Sequence, residues 1–138
     1  MRVARLVALL LVGALVVAGC GDDTGAGGGT GDQVVFGEGE PPPAFPDDFP
    51  IPTSAVIGTT LIDRANHRSE MALQIDAVLV AAVQYFTIGL VSQGFVVNSS
   101  QGTGQSWTVT FTRGELSGEV VFQAVGGFTQ AVASVNAT

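Results

Sequence analysis

Apolar and polar side chains alternate most regularly at Trp107, Val109 and Phe111 against Thr108, Thr110 and Thr112. That period of two predicts a strand over 106–113 with one buried and one wet face. Met71, Leu73 and Ile75 alternate in the same way with Ala72, Gln74 and Asp76. Residues 55–62 are β-rich and apolar on both alternations, as in a central or two-faced strand. Further strands are expected over 95–99, 118–124 and 128–135, divided by Gln101-Gly102-Thr103-Gly104, Arg113-Gly114-Glu115 and Gly126-Gly127, whose glycines are turn signals.

Between 77 and 92 the pattern loses its period of two. A helix is predicted there, with Asp76 or a neighbour placed to cap its start and Gly94 suited to a left-handed position after its end. The order is ββαββββ. The simplest way to bury both apolar sets is an α+β domain of two layers, an antiparallel sheet of about six strands with one helix on one face. The helix itself is apolar nearly all round, through Val78, Leu79, Val80, Val83, Phe86, Ile88, Leu90 and Val91. A helix covering a sheet normally has a polar back. Small alanines can dilute that back, or strand can replace helix locally; alternatively Leu79, Val83, Phe86 and Leu90 form a hydrophobic interface, for a dimer or for an acyl chain held in a cleft against the sheet.

Composition divides the chain. Residues 21–40 carry eight glycines and several acids, too little apolar surface to offset the entropy of ordering, so 20–44 is expected to be a tether and 45–138 the domain. Phe45-Pro46-Asp47-Asp48-Phe49-Pro50-Ile51-Pro52 forbids helix and predicts an extended lead-in that Phe45, Phe49 and Ile51 pin to the domain; a proline-rich ligand for a partner is the other reading.

Ahead of the tether, Arg2 and Arg5 precede an apolar stretch over 6–18 that is too short to span a bilayer, a span of roughly 20 residues. Val17-Ala18-Gly19-Cys20 resembles the lipobox of bacterial lipoproteins. The resemblance implies that residues 1–19 are a cleaved signal peptide and that Cys20 receives a diacylglyceryl group and becomes the N-terminus, a lipid anchor on the extracytoplasmic side of the cell membrane. Cys20 is the sole cysteine, so its consumption leaves no thiol for a disulfide, a catalytic cysteine or a cysteine metal site.

Without the leader, twelve acids face only Arg64, Arg68 and Arg113, a net of −9. Seven of the acids lie before residue 51, and no basic stripe exists to neutralise phosphates, which argues against nucleic-acid partners. The absence of lysine beside abundant Ala, Gly and Val suggests a GC-rich, actinobacterial source. One histidine cannot build a His-rich metal site, and no nucleophile elbow or phosphate-binding loop is present. Asp63, Arg64, Asn66, His67, Arg68 and Glu70 are the one dense set of ionisable and polar groups; as a turn they are a solvated connection, and as a site Arg64, His67 and Arg68 would take an anion or an acidic partner.

The succession Phe49-Pro50-Ile51-Pro52, a strand pair, a helix ending at Gly94-Phe95-Val96-Val97, Trp107-Thr108-Val109-Thr110-Phe111 and a terminal hairpin is similar to small actinobacterial lipoproteins of unknown function. The expectation is a membrane-anchored envelope lipoprotein with a non-catalytic domain that binds an envelope protein or a second copy of itself, without cofactor. The alternative is a carrier or sensor of an acyl-chain ligand between helix 77–92 and the sheet.

Overall fold

The computed structural model describes residues 33–137, so the leader, Cys20 and the first part of the tether lie outside the described residues. The chain folds into seven strands and one helix: β1 (Val34–Glu38), β2 (Ala55–Asp63), β3 (Arg68–Ile75), α1 (Leu79–Ser92), β4 (Val96–Gly102), β5 (Ser106–Arg113), β6 (Leu116–Val125) and β7 (Phe128–Ala137). They form one sheet in the order β1-β2-β3-β7-β6-β5-β4, antiparallel at every pair. After β3 the chain crosses to the far edge, and α1 lies over β4, β5, β6 and β7 on the way. The α+β reading holds, with a helix on one face of an antiparallel sheet.

Two-residue turns set the register of the meander. Arg113 pairs with Leu116 and Val125 with Phe128, and Gly114 and Gly126 take φ of 61° and 60°, the left-handed conformation that such turns need and that a side chain disfavours. The register turns Val109 and Phe111, Val120 and Phe122, Ala131, Ala133 and Val135, and Met71, Leu73 and Ile75 to the same face, where they are buried under Leu79, Ala82, Val83, Phe86 and Leu90 of α1.

Three expectations are corrected. First, Val34–Glu38 is a strand on the edge of the sheet, although it falls in the stretch expected to be an unstructured tether. Its Val-Val-Phe run is β-prone, and the glycines on either side dilute that signal in any longer window. Second, β2 lies beside the edge strand and is not central; it looks two-faced because a bulge shifts its register between Ile57 and Thr60. The inward positions are therefore odd before the bulge and even after it. Third, Asp76 does not cap the helix. The N-cap is Val78, whose side chain has no polar atom, and no side-chain hydrogen bond closes that end. Gly94 does take the left-handed position after the helix, at φ 82°.

The lead-in is part of the core. Successive turns, Phe45 N to Pro42 O at 3.0 Å and Phe49 N to Pro46 O at 2.9 Å, fold it against the open flank of α1. Phe45 and Phe49 are buried, and the Phe49 ring lies 5.1 Å from Phe45, 5.7 Å from Phe111, 6.2 Å from Phe95 and 6.3 Å from Phe86. Gly89 lets Pro50 abut the helix, since a Cβ there would come within 2.7 Å of the Pro50 ring. Outside the ring cluster Arg113 donates from Nη1 and Nη2 to the two carboxylate oxygens of Asp48 at 2.8 and 2.9 Å, while its guanidinium sits 4.0 Å above the Phe95 ring.

That pair carries a pH dependence. The hydrogen bond from Arg113 holds the Asp48 carboxyl below its ordinary range. A depressed folded-state pKa gives stability that is present above the unfolded value near 4 and is lost as pH falls through the folded value. Thermal unfolding of wild type and Asp48→Asn is therefore expected to differ most above pH 5 and to draw together as the pH falls below the ordinary carboxylate range. The gap should be small, because both partners are partly exposed; an equal gap at pH 2 and pH 7 would show that the ion pair is not its source.

Candidate functional site

An apolar concavity opens where the first half of α1 passes the tip of the β4–β5 hairpin. Leu79, Val80, Val83 and Gln84 form one wall; Gly102, Thr103, Gly104 and Trp107 form the other; the volume of this open groove is about 460 Å³. No ionisable side chain lines it, so what it accepts is uncharged where it touches.

Each wall has a local cause. Leu79 and Val83 belong to the buried, inward face of α1 and also line the groove, so they serve as both core and wall. On the hairpin, Thr103 N donates to Ser106 O at 2.7 Å, and the Thr103 hydroxyl accepts from the backbone N of Gln105 and of Ser106, both at 3.3 Å. Ala124 N donates to Gln105 O at 2.9 Å and ties the tip to β6. Trp107 Nε1 donates to the Ser100 hydroxyl at 2.9 Å, which satisfies the one polar atom of the indole and fixes its plane. Gly102 must lack a side chain: a Cβ would lie 2.6 Å from Trp107 Cα and 2.9 Å from its indole. The hairpin wall is thus built of a pinned tryptophan packed against Gly102.

Of the four residues expected to form a hydrophobic interface, for a dimer or for a cleft, Phe86 and Leu90 are taken up by the core and only Leu79 and Val83 reach a concavity. The large apolar side chains that α1 leaves exposed are Val80, Tyr85, Ile88 and Val91. Trp107, Gly102, Thr103, Gly104, Val80 and Gln84 were not singled out as site residues; the lone tryptophan three residues after a Gly-Thr-Gly run was the available signal.

Arg64, His67 and Arg68 lie at the other end of the sheet, in the turn from β2 to β3, where Asp63 pairs with Arg68. Asp63 accepts from the Asn66 backbone N at 3.1 Å and from its side-chain amide at 2.6 Å, contacts that lower the Asp63 pKa, and His67 takes the left-handed conformation at φ 51°. Arg68 Nε donates to Glu70, which neutralises it. Arg64 N donates to Gln33 O at 2.8 Å and anchors the chain as it enters β1. The turn therefore reads as a hairpin closure that also receives the incoming chain. Among the described residues no group of three or more His, Cys, Asp or Glu is arranged to hold a metal ion, and no helix is long and apolar enough to cross a membrane.

Compared with known protein families, with curated proteins and with solved structures, the chain matches none.

Proposed function

We propose that the protein is a lipoprotein held by acylated Cys20 on the extracytoplasmic face of a cell membrane, and that its domain is a non-catalytic binding module whose groove takes an uncharged apolar group. The lipobox-like Val17-Ala18-Gly19-Cys20 supports the anchor. The groove between α1 and the β4–β5 hairpin supports the binding role: about 460 Å³ lined by Leu79, Val80, Val83 and Trp107 is within the range of about 300–1,000 Å³ of small-ligand sites. The best occupant is an apolar side chain of an envelope protein. A second reading, an acyl chain, is favoured by the aliphatic wall of the helix.

Trp107 is the only tryptophan, so intrinsic fluorescence reports the groove without a label. Titration with the neutral probe N-phenyl-1-naphthylamine is expected to quench Trp107 by energy transfer and to saturate. Val83→Phe, which fills the groove from the helix side, is expected to weaken binding by about tenfold, or 1.4 kcal/mol. Unchanged Trp107 emission at saturating probe would end the binding proposal. Native mass spectrometry of protein extracted from its own membrane separates the two occupants, since a co-purifying lipid mass is expected only for the acyl-chain reading.

A further inference from the structure

The groove lies at one edge of the sheet. β4 is the last strand in the order, and among the described residues no strand pairs beyond it. We propose that an extended segment of a partner protein adds to β4 as a further strand and sets one apolar side chain in the groove. The inference rests on the groove being a binding site and names what enters it.

The backbone of β4 selects an extended chain. Ser99 pairs with Thr110, Ser100 with Val109, Gln101 with Thr108 and Gly102 with Trp107. The bond from Thr103 N to Ser106 O fixes the alternation: Ser99 and Gln101 bond to β5, while the N–H and C=O of Ser100 and Gly102 point away from the sheet. Another extended backbone matches those donors and acceptors at their own spacing. An acyl chain matches none of them. Sheet edges are ordinarily blunted by charge, proline or shortness. β4 runs for seven residues, Val96–Gly102, with neither charge nor proline, and its bulge between Val97 and Ser99 precedes the stretch that reaches the groove. The opposite edge strand, β1, has five residues and ends in Glu38, with Glu40 beyond it.

The indole places the side chain. Trp107 stands on β5 but leans across β4: Nε1 donates to the Ser100 hydroxyl at 2.9 Å, and the ring lies 2.9 Å from where a Cβ of Gly102 would be. The ring therefore reaches the edge of the sheet. Residues directly opposite in an antiparallel pair point to the same face, so the partner residue opposite Gly102 projects to the side that carries Trp107. There it meets the indole and the wall formed by Val80 and Gln84.

Charge narrows the partner. The described residues hold nine acids against three arginines, a net of −6, which repels a second copy and favours a segment with Lys or Arg on its flanks. Within the paired stretch the segment is uncharged, because neither β4 nor the groove offers an ionised group to pair with a buried charge.

A random peptide library displayed on phage, selected against the full chain in lipid nanodiscs, supplies the probe. Enriched peptides are expected to carry an apolar residue within an uncharged, β-prone stretch with basic residues outside it, and to shift Trp107 emission on binding. N-methylation along one such synthetic peptide reads the mode of binding. Blocking every second backbone N–H is expected to weaken binding at least tenfold and blocking the intervening ones less than twofold, since only one set faces β4. The proposal fails if no peptide is enriched, if binding leaves Trp107 emission unchanged, or if both methylated sets bind alike. Titration of the same preparation with N-phenyl-1-naphthylamine separates the two failures: dye that binds where no such peptide does overturns the added strand alone, and dye that does not bind overturns the groove as well.

Discussion

Replacing Phe49 by alanine is expected to cost the domain about 3–5 kcal/mol, the usual range for emptying a buried phenylalanine site. A ring 5% exposed and within 6.3 Å of four other phenylalanines has no slack neighbour to refill the space. Against a total stability of roughly 5–15 kcal/mol this is a large fraction. For a domain of this size the unfolding midpoint should fall by on the order of 20 °C. Phe36→Ala is the matched control: the same truncation at a ring 75% exposed on the edge strand β1 is expected to change stability by less than about 0.5 kcal/mol. Scanning calorimetry of both variants decides the matter. If Phe49→Ala behaves like Phe36→Ala, the lead-in is a surface strap and not part of the core.

The second large effect concerns the proposed anchor. For the mature chain beginning at residue 20, Cys20→Ala is expected to lower membrane partition by about 10⁴-fold or more, because a single acyl chain binds with a constant near 10⁴ M⁻¹ and two chains bind far more tightly. Metabolic labelling with an alkyne fatty acid should mark the wild-type chain and leave the variant dark. Intact mass should show residues 1–19 removed and a diacylglyceryl addition on the cysteine. A free thiol at Cys20 in protein taken from membranes would remove the basis for the proposed location.

Much of the fold was legible because local period and turn chemistry agree. The strand β5 was expected over 106–113 and is found at those bounds, since its Trp-Val-Phe row has a dry side and its threonine row a wet one. Where periodicity depends on a neighbour, it misleads. β1 exists because β2 offers an edge to pair with, and nothing in Val-Val-Phe-Gly-Glu specifies that edge. The bulge in β2 reverses the alternation within one strand, so no single period describes it. The groove was harder still. It needs the wall of α1 and the tip of a hairpin that begins after the helix has ended, and only the crossover from β3 to the far edge brings them together. The all-apolar helix was recognised as unusual, but which side faced the sheet followed from Phe86 and Leu90 lying beneath it, information that composition does not hold.

The short edge strand has one more effect. With Val34 committed to the sheet, thirteen residues separate it from Cys20, and at about 3.3–3.6 Å per residue that leash cannot exceed roughly 50 Å even when taut. A copy acylated at Cys20 would therefore sweep a small circle around its lipid, and would meet only those neighbours whose own moorings drift inside that radius.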